Sequence, residues 1–439
     1  MERRTLLKAG IGLAALPLLP RLAFADDKKP ITFWYESASP ENQDNLKNIL
    51  VDPFNAANPG DDLSIDFRGS DLDKQLRIAM LSGTGPDIVY TAGPSYVASM
   101  AQAGQLLPLD DYAAKLGWND RLLPLFDELG KYNGKLYALA KTYETLGLFY
   151  NKTMFDKNSW KAPTTIAEFE ALADEMKGKG MVPFGAGNAD WRPANEHYVS
   201  IVLNSVAGPE NVYKALTGAI PWTDDSIVAA IDKLNEWWQK GYFGPNYFSL
   251  TLEQAFAQVA TGQAGMAPTG TWNFTNIPTY FPPNNAEAAF VGFPSTSGPA
   301  VYPLGIGSTF SINAKSENPD GAAAVLDYVF TDKFYSAMNS VWQGEWNLPL
   351  KDLSGVKLSD KVLPLYSEVM KNLATAVGDG QYGYTTWTFL PPATDTYLVS
   401  GMEEVWLKKI TSKDYLKKWD DTFKQGKDAG KVPAIPKRA

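Results

Sequence analysis

The first hundred residues alternate between short apolar runs and helical patterns, and this alternation constrains the fold more than any other feature. Residues 31–37, 63–69 and 86–93 are predicted strands because they are short, apolar and bounded by turn residues. Residues 45–60, which end in Asn-Pro-Gly, and 71–83, with apolar side chains near helical spacing, are the predicted helices between them. This βαβαβ order predicts an α/β fold in which helices cover a parallel sheet.

Polar side chains stand where these predicted strands end. Ligands of parallel sheets bind beyond the carboxyl ends of the strands. We therefore take the polar residues at these ends as candidate ligand contacts: Glu36, Ser37, Asp71 and Thr91. The alternative is that they are solvated loop residues with no function.

Three later segments are predicted to be extended and to pass between two domains. Residues 134–155 alternate apolar and polar side chains with no helical stripe, which suits a strand that leaves one domain and enters another. Residues 303–313 and 344–350 are the second and third candidate crossings. Amphipathic helices are predicted over 165–180, 225–241, 252–263, 319–342, 401–410 and 413–426.

The first 25 residues have the pattern of an export signal. A twin-arginine pair, Arg3-Arg4, precedes an apolar run and the small-residue site Ala23-Phe24-Ala25. We predict a twin-arginine signal peptide over 1–25 and export in the folded state; the alternative is an uncleaved anchor. The chain has no cysteine, which excludes disulfides and a lipid anchor on cysteine. These features predict a free protein in the periplasm.

Charge and composition exclude several classes of partner and cofactor. The first 25 residues carry four basic and one acidic side chains, which leaves 36 basic against 48 acidic residues and a net charge of −12. Nucleic acid and anionic membranes are therefore not expected partners. A single histidine, His197, excludes a zinc site with several His ligands. No cofactor or metal is expected, and 414 residues suffice for two domains.

Six segments in a fixed order resemble the bacterial extracellular sugar-binding proteins of ABC importers (family 1), which include maltose-binding protein. The segments are "SGTGPDIVYTAG", "AGQLLPLDDY", "NGKLYALAKTYETLGLFYNKTMF", "PTTIAEFEALADEMKGKGMVPFGAG", "FAQVATGQAGMAPTGTWN" and "STFSINAKSENPDGAAAVLDYV". The resemblance implies a two-lobed, type II-like periplasmic binding fold with three interlobe crossings and a ligand cleft. Lobe one would be 26–141 plus 305–345, and lobe two 142–304 plus 346–439.

The resemblance also implies a function without catalysis. A monomer would capture a sugar, a di- or oligosaccharide, and deliver it to the membrane permease subunits of an ABC importer. Trp272, in "PTGTWNF", would stack on a sugar ring, because one face of a pyranose is apolar; the alternative is a core tryptophan at a helix–turn corner. Glu144 would accept hydroxyl hydrogen bonds; the alternative is a hinge salt bridge.

The loop 187–198 and the later crossings hold the remaining candidates. The loop offers a carboxylate, an indole, a guanidinium and an amide suited to hydroxyl groups: Asp190, Trp191, Arg192 and Asn195. The alternative is a helix N-terminus with the indole packed inward. The crossings and the late segment 383–395 add Gly305, Glu345, Trp346 and Trp387. Thr91 departs from maltose-binding protein, which has an aromatic residue there, so lobe one would grip its sugar differently.

Other functions stay open from the residues alone. The ligand could instead be a polyol or a nitrogenous or phosphorylated solute, although no Gly-rich nest or basic cluster that would hold a phosphate is evident near the candidate site. An exported glycoside hydrolase would need two facing carboxylates, and no motif marks such a pair. A chemosensory adaptor would overlap with the binding function.

Overall fold

The computed structural model describes residues 28–191, 194–296 and 298–438. The predicted signal peptide and Arg192 lie outside the described residues. The strands are β1 (Lys29–Tyr35), β2 (Asp61–Phe67), β3 (Ile88–Thr91), β4 (Lys131–Tyr132), β5 (Lys135–Leu136), β6 (Leu139–Asn151), β7 (Val182–Phe184), β8 (Ala264–Gly270), β9 (Ala288–Gly292), β10 (Tyr302–Ile312) and β11 (Tyr382–Tyr384).

The α-helices alternate with these strands along the chain. They are α1 (Pro40–Leu46), α2 (Asp52–Ala57), α3 (Leu72–Ser82), α4 (Pro94–Gln102), α5 (Asp110–Leu116), α6 (Trp118–Arg121), α7 (Pro124–Leu129), α8 (Lys152–Asn158), α9 (Ile166–Gly178), α10 (Asn195–Val202), α11 (Pro209–Thr217), α12 (Asp225–Gln239), α13 (Leu252–Thr261), α14 (Ile277–Tyr280), α15 (Pro319–Val329), α16 (Asp332–Val341), α17 (Pro364–Gly378), α18 (Thr386–Phe389), α19 (Pro392–Trp406) and α20 (Ser412–Asp428). In the described part of the chain, none of them is long and apolar enough to cross a bilayer.

The predicted βαβαβ opening is confirmed. Strand β1 pairs in parallel with β2 along its whole length and with β3 on its other side. The next neighbour of β3 is β10, which runs antiparallel to it, with Thr309 opposite Thr91. The first lobe therefore has a parallel sheet that is closed on one side by a strand arriving from much later in the chain.

Two long antiparallel strands connect the lobes. Strand β10 pairs with β6 from Leu304 opposite Thr145 to Phe310 opposite Leu139. Strand β6 then continues into the second lobe, where it pairs with β8 and β9. The main path of the sheet is β2-β1-β3-β10-β6-β8-β7. The first two predicted crossings are thus paired strands.

The segment predicted as a third crossing is irregular, but it is fixed to β6. The backbone N–H of Tyr143 donates to the carbonyl of Asn347 over 3.0 Å, and the Asn347 side chain donates to the Tyr143 carbonyl over 2.9 Å. Three chain segments therefore meet around residues 142–145.

The buried apolar side chains form two large clusters. One contains residues between Ile31 and Leu139 together with Phe310 to Leu350. The other contains residues between Phe126 and Ile306 together with Val362 to Phe423. Each cluster takes side chains from two separated parts of the sequence, as expected for two lobes joined by several crossings.

Local capping explains where the predicted helices begin and end. Thr165 accepts a hydrogen bond from the backbone of Glu168 at the start of α9, and Asn318 caps α15 in the same way. The prediction of one helix over 319–342 was wrong. A second cap, Thr331, accepts from the backbone of Phe334 and starts α16 as a separate helix.

The central position of β6 can be tested with two matched leucine substitutions. Leu148 on β6 is fully buried, whereas Leu81 on α3 is 72% exposed. We expect Leu148→Ala to lower the free energy of unfolding by about 2–5 kcal/mol through lost burial and a residual cavity. Leu81→Ala should change it by less than about 0.5 kcal/mol. Chemical denaturation measures both values, and equal effects would contradict the buried position of β6.

Candidate ligand-binding cleft

A cavity of about 440 Å³ lies between the two lobes, at the crossing segments. The first lobe contributes Glu36, Asp73, Tyr90, Ala92 and Tyr96. The crossings contribute Thr142, Glu144, Gly307, Ser308 and Glu345. The second lobe contributes Asp190, Trp191, Glu196, His197, Leu252, Trp272, Trp387 and Asp395. A cavity of this volume is in the range of small-molecule sites, which run from about 300 to 1,000 Å³.

Glu144 lies on β6 and is held against the backbone of β10 by two glycines. A Cβ on Gly307 would lie 2.5 Å from Glu144 Oε2, and one on Gly305 would lie 2.8 Å from the Trp387 ring. Only glycine therefore leaves room for both side chains. Burial and, to a smaller extent, the nearby charge of Glu345 together raise the pKa of Glu144 to about 8, while Lys141 opposes the shift.

A buried lysine links the third crossing to the first lobe. Lys141 on β6 is fully buried and forms an ion pair with Glu345. Its ammonium also donates to the Tyr35 hydroxyl over 2.8 Å, and that hydroxyl donates to Glu345 over 2.9 Å. Glu36 accepts from the Tyr90 hydroxyl over 2.6 Å, and burial raises its pKa to about 7. The carboxyl groups at the crossings therefore have one internal countercharge.

Aromatic rings form part of the second-lobe wall. The half-buried Trp272 follows β8, and its ring lies 4.9 Å from that of His197 and 6.3 Å from that of Trp387, measured between centroids. The indole folds back over Gly270, where a Cβ would collide with it. The Gly-Thr turn thus lets the indole turn back toward its own strand and line the cavity.

Asp190 fixes the loop that carries Trp191. Its Oδ1 accepts from the backbone N–H of Trp191 over 3.1 Å and from that of Leu252 over 3.0 Å. Because Leu252 begins α13, the carboxylate joins this loop to a helix N-terminus, where negative charge is favoured. Asp190 and Trp191 are thereby placed together at the cavity.

Of the four buried polar atoms in lining residues that lack a hydrogen-bond partner among the described residues, two belong to ionisable side chains. They are Nδ1 of His197 and Oδ1 of Asp395, in side chains that are 4% and 8% exposed. Buried polar groups are normally paired, so these atoms are available to a ligand. Burial lowers the pKa of His197 to about 3, so its imidazole is neutral at physiological pH.

Seven of the residues selected from the sequence line this cavity: Glu36, Glu144, Asp190, Trp191, Trp272, Glu345 and Trp387. Six others do not: Ser37, Asp71, Thr91, Asn195, Gly305 and Trp346. Trp346 is fully buried and stacks on Tyr35, with ring centroids 5.9 Å apart. Asn195 donates to the Val399 carbonyl over 3.0 Å inside the second lobe. Gly305 instead makes room for Glu144 and Trp387, as described above.

Several residues that line the cavity were not selected from the sequence. They lie next to, or within two residues of, residues that were selected. Thr91 is buried and shares a 2.7 Å hydrogen bond with the Thr309 hydroxyl, whereas the adjacent Tyr90 and Ala92 line the cavity. Successive strand side chains point to opposite faces, which accounts for the difference. Asp73, in the first turn of α3, lines the cavity, whereas Asp71, the N-cap of that helix, does not.

The other lining residues differ in how much signal the sequence offered. Glu196 and His197 follow Asn195 in the first turn of α10, where successive side chains point about 100° apart. Asp395 lies on α19, which begins nine residues earlier than the helix predicted from residue 401. Thr142 and Ser308 lie on the crossing strands, and the alternation of those strands could have identified them.

The fold and the interlobe cleft define a two-lobed solute-binding protein. A family model for bacterial extracellular solute-binding proteins matches residues 37–334. The chain belongs to this family.

Individual relatives agree with this assignment. The multiple sugar-binding protein of Streptococcus mutans is 26% identical over 348 residues, which cover 75% of this chain and 80% of that protein. A probable sugar-binding periplasmic protein of Brucella melitensis is 25% identical over 276 residues, which cover 62% of this chain and 64% of that protein. For several curated relatives the match spans only 60 to 64% of their length.

A solved structure shows the same fold. A chitin oligosaccharide binding protein superposes with a TM-score of 0.79 at 21% identity, covering 91% of this chain and 99% of that one. The two-lobed architecture implied by the sequence resemblance is confirmed.

The buried carboxyl groups predict how stability depends on pH. Burial raises the pKa of Glu144 to about 8 and that of Asp395 to about 7, so the folded chain holds protons that the unfolded chain has released. Stability therefore falls as pH rises from 6.5 to 8, by up to about 1.4 kcal/mol per pH unit for each group, with the contribution of Asp395 ending near pH 7 and that of Glu144 near pH 8. His197 does not titrate in this window when folded.

The test is chemical denaturation of the ligand-free protein across this pH range. Glu144→Gln should flatten the fall in unfolding free energy, whereas Glu317→Gln, at an exposed position, should leave it unchanged. A stability that rises with pH in the unsubstituted protein would contradict the burial of these carboxyl groups.

Proposed function

We propose that this protein is the substrate-binding component of an ABC importer and captures a sugar, a di- or oligosaccharide, between its lobes. The observation that carries the proposal is the lining of the cleft, which combines three indole rings with seven carboxyl groups. A sugar has an apolar C–H face and a rim of hydroxyl groups, so it needs both kinds of partner. Relatives described as sugar-binding proteins support the same ligand class.

Specific roles follow for the lining residues. Trp272, Trp191 and Trp387 would provide apolar faces for sugar rings, and Glu144, Asp190 and Glu36 would accept hydrogen bonds from hydroxyl groups. The imidazole of His197, which has a free nitrogen, would pair with one more hydroxyl. Arg192 would donate hydrogen bonds to sugar hydroxyl groups. This proposal rests only on its position in the sequence.

Closure of the lobes would bury the sugar in a hinge motion. The loaded, closed form would dock on the membrane permease subunits of the importer. We propose lobe boundaries close to those expected from the sequence, with one extension. Because Trp346, Leu348 and Leu350 pack in the first-lobe cluster, the first lobe would extend to about residue 350.

We further propose that the chain is exported by the twin-arginine route, acts in the periplasm as a free monomer and does not turn over its ligand. The support is the residue pattern of 1–25 and the family of extracellular solute-binding proteins. Solute binding, the role for which the family is named, is enough to account for the cleft, so no catalytic activity is needed to explain it.

The proposal can be tested by thermal unfolding against mono-, di- and trisaccharides, polyols and amino acids. A ligand present at about 100 times its Kd stabilises the folded state by about 2.7 kcal/mol. We expect a rise in Tm with one set of sugars. A rise in Tm only with a polyol or an amino acid would agree with a binding function but overturn the assignment of a sugar as the ligand. Slow hydrolysis of an added aryl glycoside would contradict a purely binding role.

The stacking role of Trp272 is tested with a matched tryptophan. We expect Trp272→Ala to raise the Kd for the sugar at least about tenfold, or about 1.4 kcal/mol, because a flat apolar face is lost. Trp34→Ala is the control, since Trp34 is also half-buried but packs under Arg68 away from the cavity. Calorimetry gives both values; an unchanged Kd in folded Trp272→Ala would overturn the stacking role.

A further inference from the structure

The negative charge of the cleft is unevenly compensated. Of its seven carboxyl groups, those of Glu36, Glu144 and Glu345 lie near the buried ammonium of Lys141, which pairs with Glu345. The described residues that line the cavity include no lysine or arginine. One buried cation therefore serves the carboxyl groups at the crossings, and no described lining residue brings a positive charge to the others.

Three of the remaining carboxyl groups form a cluster across the two lobes, which we call the distal acidic cluster: Asp73, Glu196 and Asp395. Burial raises the pKa of Glu196, and the charge of Asp395 raises it further. Burial also raises the pKa of Asp395, with a contribution from the charge of Asp73. All three side chains line the same cavity, although they come from α3, α10 and α19.

Among the described residues, the charged groups around this cluster do not fully neutralise it. Arg77, on α3, has an exposed side chain and opposes the rise in the pKa of Asp73. His197 is neutral, because burial lowers its pKa to about 3. Glu144 and the Tyr96 hydroxyl, which also approach the cluster, bring no positive charge. The raised pKa values of the cluster keep its carboxyl groups partly protonated in the empty cleft, and a cationic ligand that paired with them would favour their ionised form.

One carboxyl oxygen of the cluster is free to accept a hydrogen bond from a ligand. Oδ1 of Asp395 is buried and has no hydrogen-bond partner among the described residues, and its side chain lines the cavity. The described residues contain no group of three or more His, Asp or Glu side chains arranged to hold a metal ion. An organic ammonium has three N–H donors, each of which can pair with a carboxylate oxygen.

We propose that the ligand is an amino sugar, and that Asp73, Glu196 and Asp395 hold its protonated amine while the indole rings and Glu144 bind the sugar itself. The inference rests on the proposed sugar-binding function and deepens it by naming the substrate class. Charge-assisted hydrogen bonds to carboxylates would make the amine a main determinant of specificity.

The test compares sugars that differ only at the amine-bearing carbon. Calorimetry at pH 7 would use glucose, galactose, mannose and cellobiose, each beside its 2-amino and 2-acetamido counterparts. We expect at least one amino sugar to bind about tenfold or more tightly than both matched forms. Binding of neutral or acetylated sugars with no gain from the free amine would overturn the amino-sugar inference and leave sugar binding intact. Binding of no sugar in the set would contradict both.

Substitutions locate the amine. In Asp395→Asn, and independently in Glu196→Gln, the preference for the amino form over its neutral counterpart should fall at least about tenfold. Asp379→Asn, at an exposed position, should leave that preference unchanged. Circular dichroism establishes that each variant is folded. A preference that survives in either folded cluster variant would overturn the role of the distal acidic cluster.

Discussion

The pairing of β6 with β10 is the interaction on which the rest of the structure depends. Both strands are long and almost wholly buried, and each belongs to the sheet of one lobe before it enters the other. Their antiparallel register places Glu144 opposite Gly305. The same pairing that joins the lobes therefore sets the base of the cleft, and any change in the register of these strands would move the lining of the site.

The cleft keeps polar and charged groups partly unsatisfied while the two cores around it are well packed. Lys141, Tyr35 and Glu345 form a closed hydrogen-bonded group that fixes the third crossing to the first lobe. In contrast, Asp395 and His197 retain free polar atoms that a ligand can pair with. A site of this kind loses stability when empty and regains it on binding, which is the physical basis for ligand-dependent stabilisation.

The sequence predicted the architecture better than it predicted the individual contacts. The strand and helix order, the parallel opening and the two crossing strands follow from hydrophobic periodicity, which reports local burial. Within the cleft, the sequence could place a candidate at a strand end but could not decide which neighbour faces the cavity. Thr91 faces Thr309 instead, while Tyr90 and Ala92 line the cavity.

Contacts between segments that are far apart in the sequence were harder still to predict. Nothing in the sequence around Asp395 or Glu196 indicates that α10 and α19 bring these carboxyl groups together, because that arrangement depends on packing inside the second lobe. Trp346 shows the opposite error. It lies beside a crossing and was expected to contact the ligand, but it is a core residue that stacks on Tyr35.

The most direct test of the account is a crystal structure of the protein grown with a saturating sugar that raises its Tm. The account predicts one sugar between the lobes, with a ring against Trp272 and hydroxyl groups within hydrogen-bonding distance of Glu144. A sugar bound outside this cavity, or within it but away from both side chains, would contradict the account.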